Sequence, residues 1–153
     1  MDYTVPFEAG DGPEGFLIDG STIRVHQHAA GAQKKEGKQA IGKSRGGWRT
    51  KIHAGVDALG NPLRILLTKG QAHDVTKAEE MLDGFHPEMV IADKAYDADH
   101  FITAIHNAGA VPVIPPESNR NEQRDYDAHW YKDRNLVERF FNRIKQVRRI
   151  ATR

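Results

Sequence analysis

Four side chains of different chemistry, Tyr131, Arg134, Glu138 and Lys145, stand near the end of this sequence at offsets 0, 3, 7 and 14. On a helix of about 100° per residue they fall near 0°, −60°, −20° and −40°, a single narrow stripe. Leu136, Val137, Phe140, Ile144 and Val147 gather on a separate face at roughly 140° to 240° of the same wheel. Such a helix offers one face to a core and an adjacent one to something polar. Taken alone, Arg134 and Glu138 read equally well as an i,i+4 pair supporting an exposed helix. Two further acids change that balance. Asp19 lies inside the apolar run Gly15–His26, and Asp93 directly follows Met89-Val-Ile-Ala92. In such places an unpaired carboxylate is costly to desolvate. Three carboxylates without cysteine or a tight histidine cluster suit a hard cation, Mg²⁺ or Mn²⁺, that keeps positions open for water and phosphate. Two such ions about 3.5–4 Å apart would clamp the attacking and leaving oxygens of an in-line displacement.

These residues need elements to position them. Gly15–His26 is rich in β-branched and apolar residues and reads as a strand with Asp19 in its middle. Ala29–Trp48, full of glycine and lysine, reads as a basic loop. Arg49–Asp57 and Pro62–Lys69 flank Ala-Leu-Gly-Asn and predict a hairpin. Beyond it, Val75–Phe85 has helix-forming composition, Met89–Ala92 is a short buried strand, Asp97–Ala108 a helix closed by Gly109, and Val111–Ile114 a strand stopped by Pro115-Pro116. Glu117–His129 reads as a loop and Tyr131–Arg153 as the longest helix. Three antiparallel strands followed by alternating β and α predict an α/β fold: a mixed sheet flanked by helices.

The chain has 153 residues, enough for one domain with a sizeable core. We read 1–14 as an N-terminal extension and 15–153 as that domain. With 39% hydrophobic and 28% charged residues it is neither a disordered nor a membrane chain. No apolar run could span a bilayer, and the first residues lack a signal-peptide pattern, so a cytoplasmic location is expected. The absence of cysteine excludes disulfides, thiol nucleophiles and Cys-ligated zinc. Net charge is only +1, yet residues 131–153 carry eight Lys/Arg against Asp133 and Glu138, so the remainder is acidic. A basic end suits a polyanion, because each neutralised phosphate releases counterions.

Other signals carry less. Gly37-Lys-Gln-Ala-Ile-Gly-Lys-Ser44 spells a phosphate-binding loop, but neither a buried strand before it nor a helix after it is expected. His26 and His28 could share a strand face, but a zinc site needs more convergent ligands. Asp74 reads as a helix N-cap, Asp97 and Asp99 as acids at a helix start, and Asp57 as a turn residue. Trp48 stands among the basic residues of the loop, where it could stack on a base, and Trp130 reads as core.

The text Tyr-Lys-Asp-Arg-Asn-Leu-Val-Glu-Arg-Phe-Phe-Asn-Arg-Ile-Lys (131–145) matches the Tyr-x2-Arg-x3-Glu-x6-Lys signature of bacterial insertion-sequence DDE transposases. Ile-Asp-Gly-Ser-Thr (18–22) and Ala-Asp-Lys-Ala-Tyr-Asp (92–97) resemble that family's first and second acidic motifs. The resemblance runs from about Gly15 to Arg153 and is nearest to the insertion-sequence-five branch. It implies a ribonuclease-H-like fold and metal-dependent cleavage and strand transfer of element ends. Asp19, Asp93 and Glu138 would be catalytic ligands of Mg²⁺ or Mn²⁺, with two ions, and Tyr131, Arg134 and Lys145 would hold DNA. It further implies double-stranded DNA as partner, both element ends and target, a homodimer in the DNA complex, no membrane, and a nucleoid-associated protein of the bacterial cytoplasm. The chain leaves no room for the helical DNA-binding domain of full-length relatives and stops inside a basic helix. A catalytic domain truncated in its last helical region is therefore expected. The rival readings are a silent fragment that binds DNA or a partner, and a ribonuclease-H-like nuclease without strand transfer.

Overall fold

Asp57 closes the central hairpin of the molecule, its Oδ1 accepting from the backbone N–H of Leu59 and Asn61, both at 2.8 Å, while Gly60 takes a φ of +83°. That turn joins two long antiparallel strands. The computed structural model describes residues 3–4, 13–24, 42–44 and 47–146. Within them the strands are β1 (Tyr3–Thr4), β2 (Gly15–Arg24), β3 (Gly42–Ser44), β4 (Gly47–Val56), β5 (Pro62–Lys69), β6 (Met89–Ala92) and β7 (Val111–Val113). Their order in one sheet is β1-β5-β4-β2-β6-β7, with β3 paired to β4. β2, β4 and β5 pair antiparallel, whereas β2–β6 and β6–β7 pair parallel. The helices are α1 (Ala78–Leu82), α2 (Asp99–Asn107), α3 (Ala128–Tyr131) and α4 (Asn135–Lys145). This mixed sheet with helices is the architecture predicted above and is consistent with a ribonuclease-H-like fold.

The period-2 alternation of β2 divides the core between two faces. Phe16 and Ile18 pack with Met81, Phe101 and Ile105 of α1 and α2. Leu17 and Ile23 pack with Val137, Phe140 and Phe141 of α4 on the other side. Burying each such side chain contributes roughly 1.5–3 kcal/mol, so α4 is held to the sheet by its apolar stripe and not by its charges.

The structure differs from several expectations. Asp74 is no N-cap: Asp74–Lys77 forms a 3₁₀ turn ahead of a short α1, and the Asp74 carboxylate turns to Lys51 Nζ at 2.7 Å. The expected single helix over 75–85 is broken accordingly. Part of the supposed loop 29–48 is strand β3, and Tyr3–Thr4, in the segment read as an N-terminal extension, pairs with β5. The expected helix from Tyr131 starts earlier, capped by Asp127, whose Oδ1 accepts from the N–H of His129 and Trp130. It is then tightened by a 3₁₀ turn over Lys132–Arg134. Residues 147–153 of that pattern, His26, His28 and most of the Gly37–Ser44 spelling lie outside the described residues. Gly42–Ser44 is strand, whereas a phosphate-cradling loop would open a helix there. Among the described residues, no helix is long and apolar enough to cross a membrane.

Candidate active site

Register brings the first two acids together. β2 and β6 run parallel with Ile18 opposite Ala92, so Asp19 and Asp93 occupy the next step on adjacent strands. Strands lie about 4.8 Å apart. Asp19 shares its parity with Leu17, and therefore faces α4. Beyond β6 the chain turns, and Asp93 Oδ1 accepts from Ala95 N–H at 2.8 Å, which fixes that carboxylate at the strand end. Asp19 Oδ1 is fixed in the same way by Gly20 N–H at 2.8 Å.

The third acid comes from α4, and a single guanidinium links all three. Arg134 Nη1 lies 4.0 Å from Asp19 Oδ2 and 3.4 Å from Asp93 Oδ2, while its Nη2 donates to Glu138 Oε1 at 2.5 Å. Arg134 and Asp19 are each 20% exposed at the side chain, against 48% for Glu138, so the hub is half-buried and opens toward solvent on the helix side. Burial pushes the Asp19 carboxyl above its ordinary range, with the charges of Asp74 and Asp93 adding to the rise, against the lowering effect of Gly20 N–H and Arg134.

Lys145 reaches the same place from one face. Together with Asp19, Ser21, Glu138 and Asn142 it lines an open cleft of about 270 Å³. Tyr131 sits on the other side, its ring 6.0 Å from the Arg134 guanidinium and edge-on to Tyr126. Burial raises the Tyr131 hydroxyl above its ordinary range, so it is a proton donor near neutral pH. All six residues singled out in the sequence thus border one region.

Among the described residues, no three acids or histidines converge closely enough to form a ready-made metal cage. The carboxylates surround a cation instead, and that cation is Arg134. The donor set is nonetheless all oxygen and open to solvent, which fits a hard divalent ion in place of the guanidinium.

Other acids have structural roles. Asp97, whose side chain is 0% exposed, accepts from Glu117 N–H and Arg120 and also pairs with Arg124, pinning the loop before α3 against the start of α2. Trp130 is 37% exposed and not core. The sequence reading passed over Lys51 and Tyr96 and took Asp74 for a helix cap; all three lie on the opposite face of the sheet. The only early sign was an acid, Asp74, beside a histidine after a strand.

Comparison with known proteins identifies the family. The family described as Transposase DDE domain matches residues 10–153. A Brucella ovis protein described as a transposase for insertion sequence element IS6501 is 44% identical over 106 residues, covering 68% of this chain and 82% of that protein. A Burkholderia cepacia protein described as a transposase for insertion sequence element IS402 is 26% identical over 157 residues, covering 95% and 71%.

Proposed function

The chain belongs to the Transposase DDE domain family and is a transposase catalytic domain, and from that premise we propose that Asp19, Asp93 and Glu138 are its metal-binding triad. The observation that carries the assignment is their common contact with Arg134, which puts three carboxylates from β2, β6 and α4 around one cation position.

When bound there, Mg²⁺ or Mn²⁺, as one ion or a pair, supplies Lewis-acid activation and charge neutralisation at phosphorus. The chain's own residues hold and orient. Gly20 and Ala95 N–H groups fix the two aspartates, and the apolar face of α4 sets the depth of Glu138. Arg134 and Lys145 neutralise non-bridging phosphate oxygens, and Tyr131 braces the guanidinium and contacts the strand. In the first step water attacks a phosphodiester at the element end, forming a new P–O bond and releasing a 3′-hydroxyl. In the second that hydroxyl attacks a target phosphodiester in line, and the leaving group is a target 3′-oxygen. No covalent bond between protein and DNA forms. Action as a homodimer on DNA and membership of the insertion-sequence-five branch belong to the same reading, the latter supported by the motif text of 131–145.

The test is joining of a pre-cut 3′-hydroxyl end, taken from the termini flanking the chain's own gene, to plasmid DNA in Mg²⁺. Wild type should join, and Glu138→Gln should not, while binding the end with nearly unchanged affinity. Joining by Glu138→Gln would refute the triad, and cleavage without joining would make the protein a ribonuclease-H-like nuclease.

A further inference from the structure

Directly beneath the triad, on the face of the sheet that packs α1 and α2, lies a second charged group. Gly20 follows Asp19 in β2 and shares its parity with Phe16 and Ile18, so its missing side chain points to that face. The space is taken by Asp74. A Cβ at position 20 would stand 2.2 Å from Asp74 Oδ1 and 3.3 Å from Lys51 Cε. Only glycine lets the carboxylate approach the strand so closely. Asp74 is held there by Lys51, whose Nζ lies 2.7 Å from Oδ1 and donates to Ala72 carbonyl at 2.9 Å. Both side chains are largely buried, at 13% exposure for Lys51 and 25% for Asp74.

The connection to the site runs through one peptide group. The N–H that fixes Asp19 Oδ1 at 2.8 Å belongs to Gly20. Whatever settles Gly20 against Asp74 therefore settles the donor that orients Asp19. Tyr96, 1% exposed, approaches from the same face with a hydroxyl that has no hydrogen-bond partner. It lies near enough to Asp74, Asp19 and Asp93 for their charges, added to burial, to keep its proton in place.

We propose that the Lys51–Asp74 ion pair is a positioning device for the active site, acting through Gly20 to hold the Asp19 carboxylate in its metal-binding orientation from the opposite face of the sheet. The proposal rests on Asp19 being a metal ligand. Asp74 itself touches neither metal nor DNA in this role. Partners that orient metal ligands in this way typically govern affinity by 10–100-fold.

The experiment is Mn²⁺ titration of the folded protein, followed by calorimetry, for wild type, Asp19→Asn, Asp74→Ala, Asp74→Asn, Gly20→Ala and the double variant Gly20→Ala/Asp74→Ala. Circular dichroism establishes that each is folded, and Asp74→Asn, which preserves volume, carries the test if Asp74→Ala does not fold. Asp74→Asn and Gly20→Ala should each weaken Mn²⁺ binding by roughly tenfold or more. In the double variant the two effects should not add, because the oxygen that a Cβ would strike is gone. Wild-type affinity in folded Asp74→Asn, or strict additivity in the double variant, overturns the proposal. Wild-type affinity in Asp19→Asn instead overturns the triad assignment on which it rests, so the two failures are distinguishable.

Discussion

Replacing Arg134 by alanine should make the protein less stable without metal and a better binder of metal. The guanidinium meets carboxylates at 4.0, 3.4 and 2.5 Å. A unit pair at 4 Å is worth about 4 kcal/mol at an effective dielectric constant near 20, before desolvation is counted. Fully exposed pairs retain about 0.2–1 kcal/mol, and breaking a buried pair costs about 3–5 kcal/mol. A half-buried hub falls between, at about 2 kcal/mol, which lowers Tm by roughly 4–8 °C in a chain of this size. The same interaction must be given up when a divalent ion takes the guanidinium's place. If it is worth about 2 kcal/mol, Arg134→Ala should bind Mn²⁺ roughly 30-fold more tightly than wild type. At a hundred times the dissociation constant, bound metal stabilises the folded state by about 2.7 kcal/mol. Scanning calorimetry across a Mn²⁺ series reads both quantities on one sample. An Arg134→Ala protein that folds but binds Mn²⁺ no more tightly than wild type would refute competition between guanidinium and metal.

Three further outcomes follow from individual residues. Lys145→Ala should weaken DNA binding and reduce the slope of log affinity against log salt by about one, because it removes one phosphate contact; an unchanged slope returns Lys145 to an ordinary solvated position. Asp19→Asn should abolish joining yet raise Tm in metal-free buffer, since it removes a carboxylate whose ionised form burial disfavours, and a fall in Tm would contradict that. His53 is 0% exposed, with Nε2 2.7 Å from Thr68 Oγ1, and burial lowers its pKa from 6.5 to about 4. The unfolded chain therefore binds this proton first, and stability should fall by about 3 kcal/mol as pH drops from about 6.5 to about 4. His53→Leu should flatten that part of the urea-denaturation profile.

The sequence reading located the elements better than their relations. Period and composition placed β4, β5, β6 and the apolar stripe of α4 within a residue or two, because each is a local pattern. The pairing of β2 with β6 is non-local, and no local pattern gives the register that sets Asp19 beside Asp93. The three proposed ligands drew notice for local reasons: Asp19 interrupts and Asp93 ends an apolar run, and Glu138 shares one helical stripe with Tyr131, Arg134 and Lys145. Their surroundings did not. Asp74 leaves the capping position that its neighbours suggest because Lys51, 23 residues earlier in the chain, offers a charge. Asp97 resembled a solvated acid at a helix start until the two arginines of a distant loop closed over it. The role of Gly20 follows only from what lies 2.2 Å beyond its absent Cβ.

Metal-directed backbone cleavage tests the central claim most directly. Fe²⁺ substituted for Mg²⁺ generates hydroxyl radicals with ascorbate and peroxide, and these cut the polypeptide beside the ion. If Asp19, Asp93 and Glu138 hold the metal, mapping the fragments by mass spectrometry should show three clusters of cuts, around each of those residues, all suppressed by excess Mg²⁺ and lost in Asp93→Asn. Cuts that fall elsewhere, or that persist unchanged in Asp93→Asn, would contradict the assignment.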